Sequence, residues 1–186
     1  MQKHGILFII SGPSGSGKDT IIGKLLEKLP NVALSKSCTT RKVRSGETKY
    51  FHVEKPQFLK MIEQNELLEY AEYLDNFYGT PKKFVEDELK KGNNVVLEIE
   101  VQGAAKIRHL MPNAVGIFIE PPSLEVLRER LSKRGTEIQE VIDKRVETAK
   151  IEIAQASQYN YTVINDDLKT AIDEITTIII NENNKT

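Results

Sequence analysis

A single cysteine, Cys38, leaves no possibility of an intrachain disulfide, and a reducing compartment such as the cytoplasm suits the chain. A lone thiol of this kind reads as a small, half-buried packing residue. Net charge is missing as well, since 26 Lys and Arg stand against 27 Asp and Glu. No basic field exists to hold nucleic acid or an anionic membrane, so neither is expected as a partner, and anion binding must come from local clustering. The apolar run Gly5–Ile10 is far too short to span a bilayer. It leads into a glycine-rich turn and not a cleavage site, so it is not expected to be a signal peptide. Long Gly/Ser or Pro-rich linkers, internal repeats and low-complexity tracts are absent, and His4, His52 and His109 lack metal-ligand spacing. What remains, at 186 residues with 39% hydrophobic and 28% charged, is an ordinary globular balance for one compact domain carrying small inserted lobes.

Along the chain, short apolar runs alternate with helical periodicity. Ile6–Ile10 reads as a buried central strand, and Lys18–Leu29, apolar at 21, 22, 25, 26 and 29, as a helix stopped by Pro30. Val32–Leu34 starts a second strand, Ser35–Lys49 reads as loop, Pro56–Ile62 as a short helix and Leu67–Tyr73 as extended. Helix Pro81–Lys91, capped by Gly92, precedes strand Val95–Ile99, helix Gly103–Met111 and strand Ala114–Ile119. Ser123–Arg134, N-capped by Ser123, and Ile138–Ser157 follow as helices, then strand Tyr161–Ile164 and helix Leu168–Ile180. This alternation predicts an α/β fold with a parallel sheet flanked by helices.

The stretch Gly12-Pro13-Ser14-Gly15-Ser16-Gly17-Lys18-Asp19-Thr20 lies between the first strand and the first helix. In that setting backbone N–H groups can point inward around a polyphosphate while the helix offers its positive end. Gly15 and Gly17 permit conformations or close approaches that a side chain would forbid, and Lys18 can reach the β- and γ-phosphates. The usual hydroxyl directly after the lysine is replaced by Asp19, so Thr20 becomes the candidate contact for Mg²⁺ or phosphate. A carboxylate at Asp19 must point away from the phosphates or touch the metal ion.

Further along comes Ser37-Cys38-Thr39-Thr40-Arg41-Lys42-Val43-Arg44-Ser45-Gly46-Glu47, then Tyr50, Glu69 and Asn76-Phe77-Tyr78-Gly79-Thr80-Pro81. Two arginines with neighbouring hydroxyls can grip one phosphate by forked hydrogen bonds. With the phosphate loop, these segments closely resemble the guanylate kinase family, which carries Ser-x-Thr-Thr-Arg-x-x-Arg-x-Gly-Glu, a later Glu, and Asn-Tyr-Tyr-Gly-Thr. The resemblance continues through Glu98-Ile99-Glu100-Val101-Gln102-Gly103-Ala104, Arg130-Leu131-Ser132-Lys133-Arg134-Gly135, Lys144-Arg145 and Ile164-Asn165-Asp166-Asp167.

It implies a P-loop core at 1–34, 81–125 and 156–186, a GMP-binding lobe at 35–80 and a helical lid at 126–155. It implies an enzyme of purine nucleotide metabolism that moves a phosphate from ATP, with Mg²⁺, to GMP and dGMP. Arg41, Arg44, Tyr50 and Tyr78 are then expected on the GMP phosphate, and Ser37, Glu69 and Thr80 on guanine, with Glu98 also at the acceptor. Glu69 can accept from guanine N1–H and the exocyclic amine, whereas adenine would leave that carboxylate unpaired. Gly12 to Thr20 hold ATP, Asn165 belongs to a segment used near the adenine, and Lys18, Arg130, Arg134 and Arg145 serve catalysis.

This chain departs from the pattern at three places: Asp19, Glu100 where the family usually has Asp, and a shortened loop from Arg44 to Tyr50. Two of them, Asp19 and the short loop, are shared with a ribose 1,5-bisphosphate phosphokinase. A guanylate-kinase-like domain that binds phosphopeptides without catalysis is a rival of another class. Ser37, Glu69, Thr80 and Arg44 argue against the first, and Lys18 with the lid arginines against the second.

Overall fold

A computed structural model describes residues 4–43, 50–73, 75–133 and 138–185. In chain order its elements are β1 (Leu7–Ser11), α1 (Lys18–Lys28), β2 (Val32–Ser35), β3 (Cys38–Thr39), β4 (Phe51–His52), α2 (Lys55–Glu63), β5 (Leu67–Tyr73) and β6 (Asn76–Pro81). There follow α3 (Lys82–Lys90), β7 (Asn94–Glu98), α4 (Val101–Leu110), β8 (Val115–Glu120), α5 (Leu124–Lys133), α6 (Gln139–Ile153), β9 (Tyr161–Ile164) and α7 (Leu168–Lys185). A five-stranded sheet has the order β2-β7-β1-β8-β9, and β2 with β7 and β8 with β9 run parallel, as the alternating pattern predicts. All five residues of β1 are buried, which explains why that strand reads as an unbroken apolar run. Among the described residues no helix is long and apolar enough to cross a membrane.

The chain divides into two compact units, Met1–Phe8 with Asn31–Ala114, and Ile9–Pro30 with Val115–Thr186. In the first, β2 pairs with β7 from Val32↔Asn94 to Ser35↔Leu97, and α3 packs on both strands before the chain turns at Gly92, whose φ is 87°. A second sheet, β4-β3-β6-β5, supports the acceptor candidates, with β6 antiparallel to both β3 and β5. Phe58 of α2 is fully buried and stacks on Phe77 with centroids 5.5 Å apart. Cys38 lies buried in β3.

In the second unit β8 and β9 pair from Ile117↔Tyr161 to Glu120↔Ile164. Helices α5 and α6 join through a cluster of Leu127, Leu131, Ile142, Val146 and Ala149. Ser123 caps α5 as expected, its Oγ accepting from the Val126 N–H at 3.2 Å. Helix α7 packs on α1 and continues to Lys185, past the expected end at Ile180.

Two other features differ from the sequence reading. The segment 35–49, read as loop, contains β3, and β6 was not anticipated at all. Asn76-Phe77-Tyr78-Gly79-Thr80 has neither alternation nor β-branched enrichment. Its extended state comes from lying between two partner strands.

Candidate active site

The phosphate loop runs from the end of β1 to the start of α1. The Ser16 N–H donates to Pro13 O at 3.1 Å, closing a turn. Gly17 caps α1 at φ 94°, ψ 13°, with no side-chain cap, so the first-turn N–H groups are left to other acceptors. Only glycine suits this position: besides the left-handed backbone, a Cβ would stand 2.3 Å from Asn165 Nδ2. Lys18 folds back along the loop, its Nζ donating to Gly12 O at 2.5 Å and Pro13 O at 2.9 Å. Asp19 and Thr20 are exposed on the first turn of α1.

Three of the expected cationic or polar partners gather on this loop. Arg145 Nη1 donates to Ser14 Oγ at 2.9 Å. Asn165 Nδ2 donates to Ser16 O at 2.7 Å, and Asn165 O accepts from Arg130 Nη2 at 2.8 Å. Arg130 Nη1 is buried without a hydrogen-bond partner among the described residues, as is Ser16 Oγ. Buried donors in this condition are uncommon and suit an anion's oxygen atoms. Arg134 lies outside the described residues.

The acceptor candidates occupy the first unit. Because β5 and β6 run antiparallel with Tyr70 opposite Gly79, Glu69 comes beside Thr80. Thr80 Oγ1 donates to Glu69 Oε1 at 2.8 Å, and the two residues are 1% and 7% exposed. Burial raises the Glu69 pKa above the usual carboxylate range, while the Thr80 hydrogen bond and the Lys106 charge pull it back down. On its other side the carboxylate meets the first turn of α4, where a Cβ at Gly103 would come 3.1 Å from Glu69 Oε2. A helix N-terminus there favours the ionised form.

Tyr50 meets Tyr78 edge-on at 5.8 Å, and the Arg41 guanidinium lies 5.5 Å from the Tyr50 ring centre. Ser37, Tyr50 and Glu98 line one small cavity with Leu34, Ser35 and Lys36. Glu100 is exposed at the N-cap of α4. Arg44 and most of the shortened loop before Tyr50 lie outside the described residues.

The hydroxyls beside Arg41, expected to help grip a phosphate, have another task. Thr39 Oγ1 donates to Phe77 O at 2.9 Å and accepts from the Arg41 N–H at 3.2 Å, while Thr40 Oγ1 accepts from the Phe77 N–H at 2.9 Å. His52 Nδ1 lies 2.7 Å from Arg41 O, which requires a proton on that nitrogen. Thr39 and His52 thus hold the Arg41 backbone in place, and the neighbouring Thr40 is tied to Phe77. The Thr-Thr-Arg string carries the signal for the threonines, and Gly103 stands in the family-like Glu98–Ala104 string, but nothing in the sequence gives Gly103 its place against Glu69 or singles out His52.

A glycine-rich turn between a buried strand and a helix, with a lysine folded over it, one arginine on it and a second on the asparagine that holds it, defines a P-loop nucleotide-binding protein of the α/β class. A family model described as guanylate kinase matches residues 4–182. The chain is 50% identical over 185 residues to the guanylate kinase of Caldanaerobacter subterraneus subsp. tengcongensis, covering 98% of this chain and 90% of that one. With the guanylate kinase of Desulfitobacterium hafniense it shares 46% over 184 residues, covering 97% and 92%. The crystal structure of guanylate kinase from Anaplasma phagocytophilum superposes with a TM-score of 0.81 at 35% identity, covering 98% of this chain and 88% of that one. The chain belongs to the guanylate kinase family.

Proposed function

We propose that this chain transfers the γ-phosphoryl group of ATP to GMP, and to dGMP, in purine nucleotide metabolism in the cytoplasm. The buried Glu69–Thr80 pair is the observation that carries the choice of acceptor. The Thr80 proton is directed to Glu69, so that hydroxyl offers lone pairs to the guanine amine, and donation to guanine O6 falls to Ser37. Glu69 accepts from N1–H and the amine. Adenine, with an acceptor at N1, would leave a buried carboxylate unpaired.

An oxygen of the acceptor phosphate attacks the γ-phosphorus as the bond to the β–γ bridging oxygen breaks, releasing ADP and GDP. The attacking group is already ionised, so no general base is needed, and rate comes from positioning and cationic stabilisation. Lys18 and the loop N–H groups from Gly12 to Thr20 hold the β- and γ-phosphates. Arg130, Arg134 and Arg145 stabilise the charge on the transferring group. Arg41, Arg44, Tyr50 and Tyr78 hold the acceptor phosphate, and Glu98 lies beside Ser37 at the same cavity. Residues 35–80 serve as the GMP lobe and 126–155 as the lid, with the remainder as core.

Mg²⁺ entering with ATP would neutralise the β- and γ-phosphate oxygens. The residues present fit it: Asp19 and Thr20 offer exposed oxygen donors on the first turn of α1. Among the described residues no group of three His, Cys, Asp or Glu could hold a metal by itself, which suits an ion that keeps waters and phosphate oxygens in its shell.

A coupled assay with ATP and GMP, AMP, UMP or ribose 1,5-bisphosphate tests the reading. The expected kcat/KM for GMP exceeds that for AMP by about 10⁴ or more. A preference for the sugar bisphosphate would overturn it.

A further inference from the structure

We infer that Asn165 is a positioning residue for the polyphosphate, and not a reader of the nucleotide base. Asn165 directly follows β9 and is 5% exposed. Its backbone N–H donates to Glu120 O at 2.8 Å, extending the β8–β9 pairing and fixing its place. Its side-chain amide donates to Ser16 O at 2.7 Å. The Ser16 carbonyl and the Gly17 N–H belong to one trans peptide and point in opposite directions. Holding that carbonyl against Asn165 therefore turns the Gly17 N–H away from Asn165. A flipped peptide would reverse the arrangement and present an oxygen where an anion-binding loop needs a donor.

The same residue anchors the lid helix α5. Asn165 O accepts from Arg130 Nη2 at 2.8 Å, and the buried Arg130 Nη1 keeps its hydrogen-bonding capacity for a phosphate oxygen. One residue thus sets the orientation of a loop peptide and of an arginine fork. Gly17 completes the device, since a Cβ there would lie 2.3 Å from Asn165 Nδ2 and force the amide off the Ser16 carbonyl. A base-reading asparagine needs its amide turned toward the base, whereas this amide nitrogen is engaged with the loop.

The inference rests on the phosphate-loop assignment proposed above, and its test needs no phosphoryl transfer. Binding of inorganic tripolyphosphate, ATP, GTP and GMP is measured by calorimetry for wild type, Asn165→Ala and Asn165→Asp. Asn165→Ala is expected to weaken tripolyphosphate and ATP by the same factor, about tenfold. Asn165→Asp, which sets an anion against the Ser16 carbonyl, is expected to cost both about 100-fold. The ratio of ATP to GTP affinity and the affinity for GMP stay at wild-type values.

Unchanged tripolyphosphate binding with a lost preference for ATP over GTP would make Asn165 a base reader and overturn the inference. Should Asn165→Ala lose GMP binding as well, Asn165→Ser decides by the same measurements, equal losses for tripolyphosphate and ATP supporting the inference and any other pattern overturning it. Failure of the proposed activity would instead appear in wild type, as ATP binding without GMP phosphorylation.

Discussion

The proposed donor half and the proposed acceptor half are made in different ways. The donor half is a contiguous loop whose chief instrument is backbone: Gly17 at positive φ, the Ser16 carbonyl tied to Asn165, and Lys18 folded over the carbonyls of Gly12 and Pro13. The acceptor half is made of side chains brought together by strand register, with Glu69 against Thr80 and Tyr50 against Tyr78. A backbone cradle accepts any polyphosphate of the right charge and is indifferent to the base attached to it. Paired side chains can tell one base from another because a mismatched donor or acceptor is left buried and unsatisfied. Binding strength is therefore expected to concentrate in the donor half, and selectivity in the acceptor half.

The largest effect should come from Lys18→Ala, which removes the charge at the β- and γ-phosphates. A loss of about 10³ or more in kcat is expected with the fold intact, and activity within about tenfold of wild type would dismiss the phosphate-loop assignment. Next is Glu69→Gln. An amide cannot accept from both guanine donors, so kcat/KM for GMP should fall about 10²–10³-fold while the KM for ATP stays within about twofold, read from initial rates with each substrate varied.

Arginines should then split by half. Arg41→Ala is expected to raise the KM for GMP about 10–100-fold with little change for ATP, whereas Arg130→Ala and Arg145→Ala should chiefly lower kcat. Equal effects of all three variants on both substrates would erase the distinction between the halves.

Legibility in the sequence followed the same division. The loop from Gly12 to Thr20 could be read directly, because a contiguous cradle leaves its glycines and lysine in one string between a strand and a helix. The strands β1, β7 and β8 were also legible, since they are mostly buried and write near-continuous apolar runs. The second sheet was not: β3 and β4 hold two residues each, and β6 contains a glycine and a proline. Glu69 and Thr80 were picked out by resemblance to a family, while the hydrogen bond between them depends on a strand pairing that no local pattern announces. The second task of Thr39 and Thr40, holding Phe77, was hidden for the same reason.

The smallest expected effect is on pH dependence. Burial raises the Glu69 pKa above 4.5, and the Thr80 hydrogen bond opposes that rise. The guanine contacts proposed for Glu69 need the ionised carboxylate, so kcat/KM for GMP should fall as pH drops through the raised pKa of the free enzyme. Thr80→Val removes an interaction that lowers the pKa, so the acidic limb should move to higher pH. Stability runs the other way: a carboxylate whose pKa is raised by folding binds its proton more tightly in the native state. The fold should therefore lose stability as pH rises from the ordinary glutamate value through the raised one. An acidic limb that stayed put or moved lower in Thr80→Val would separate Thr80 from the base-reading carboxylate.

Cys38, the one thiol in the chain, is buried in β3, and burial followed by the neighbouring Glu66 charge pushes its pKa up. Thiolate is the species that oxidants and disulfides attack, and here it is scarce, on a residue only 5% exposed. Peroxide or a shift in the glutathione couple should therefore act slowly on Cys38, and catalysis should tolerate oxidising conditions that inactivate enzymes with an exposed, low-pKa thiol.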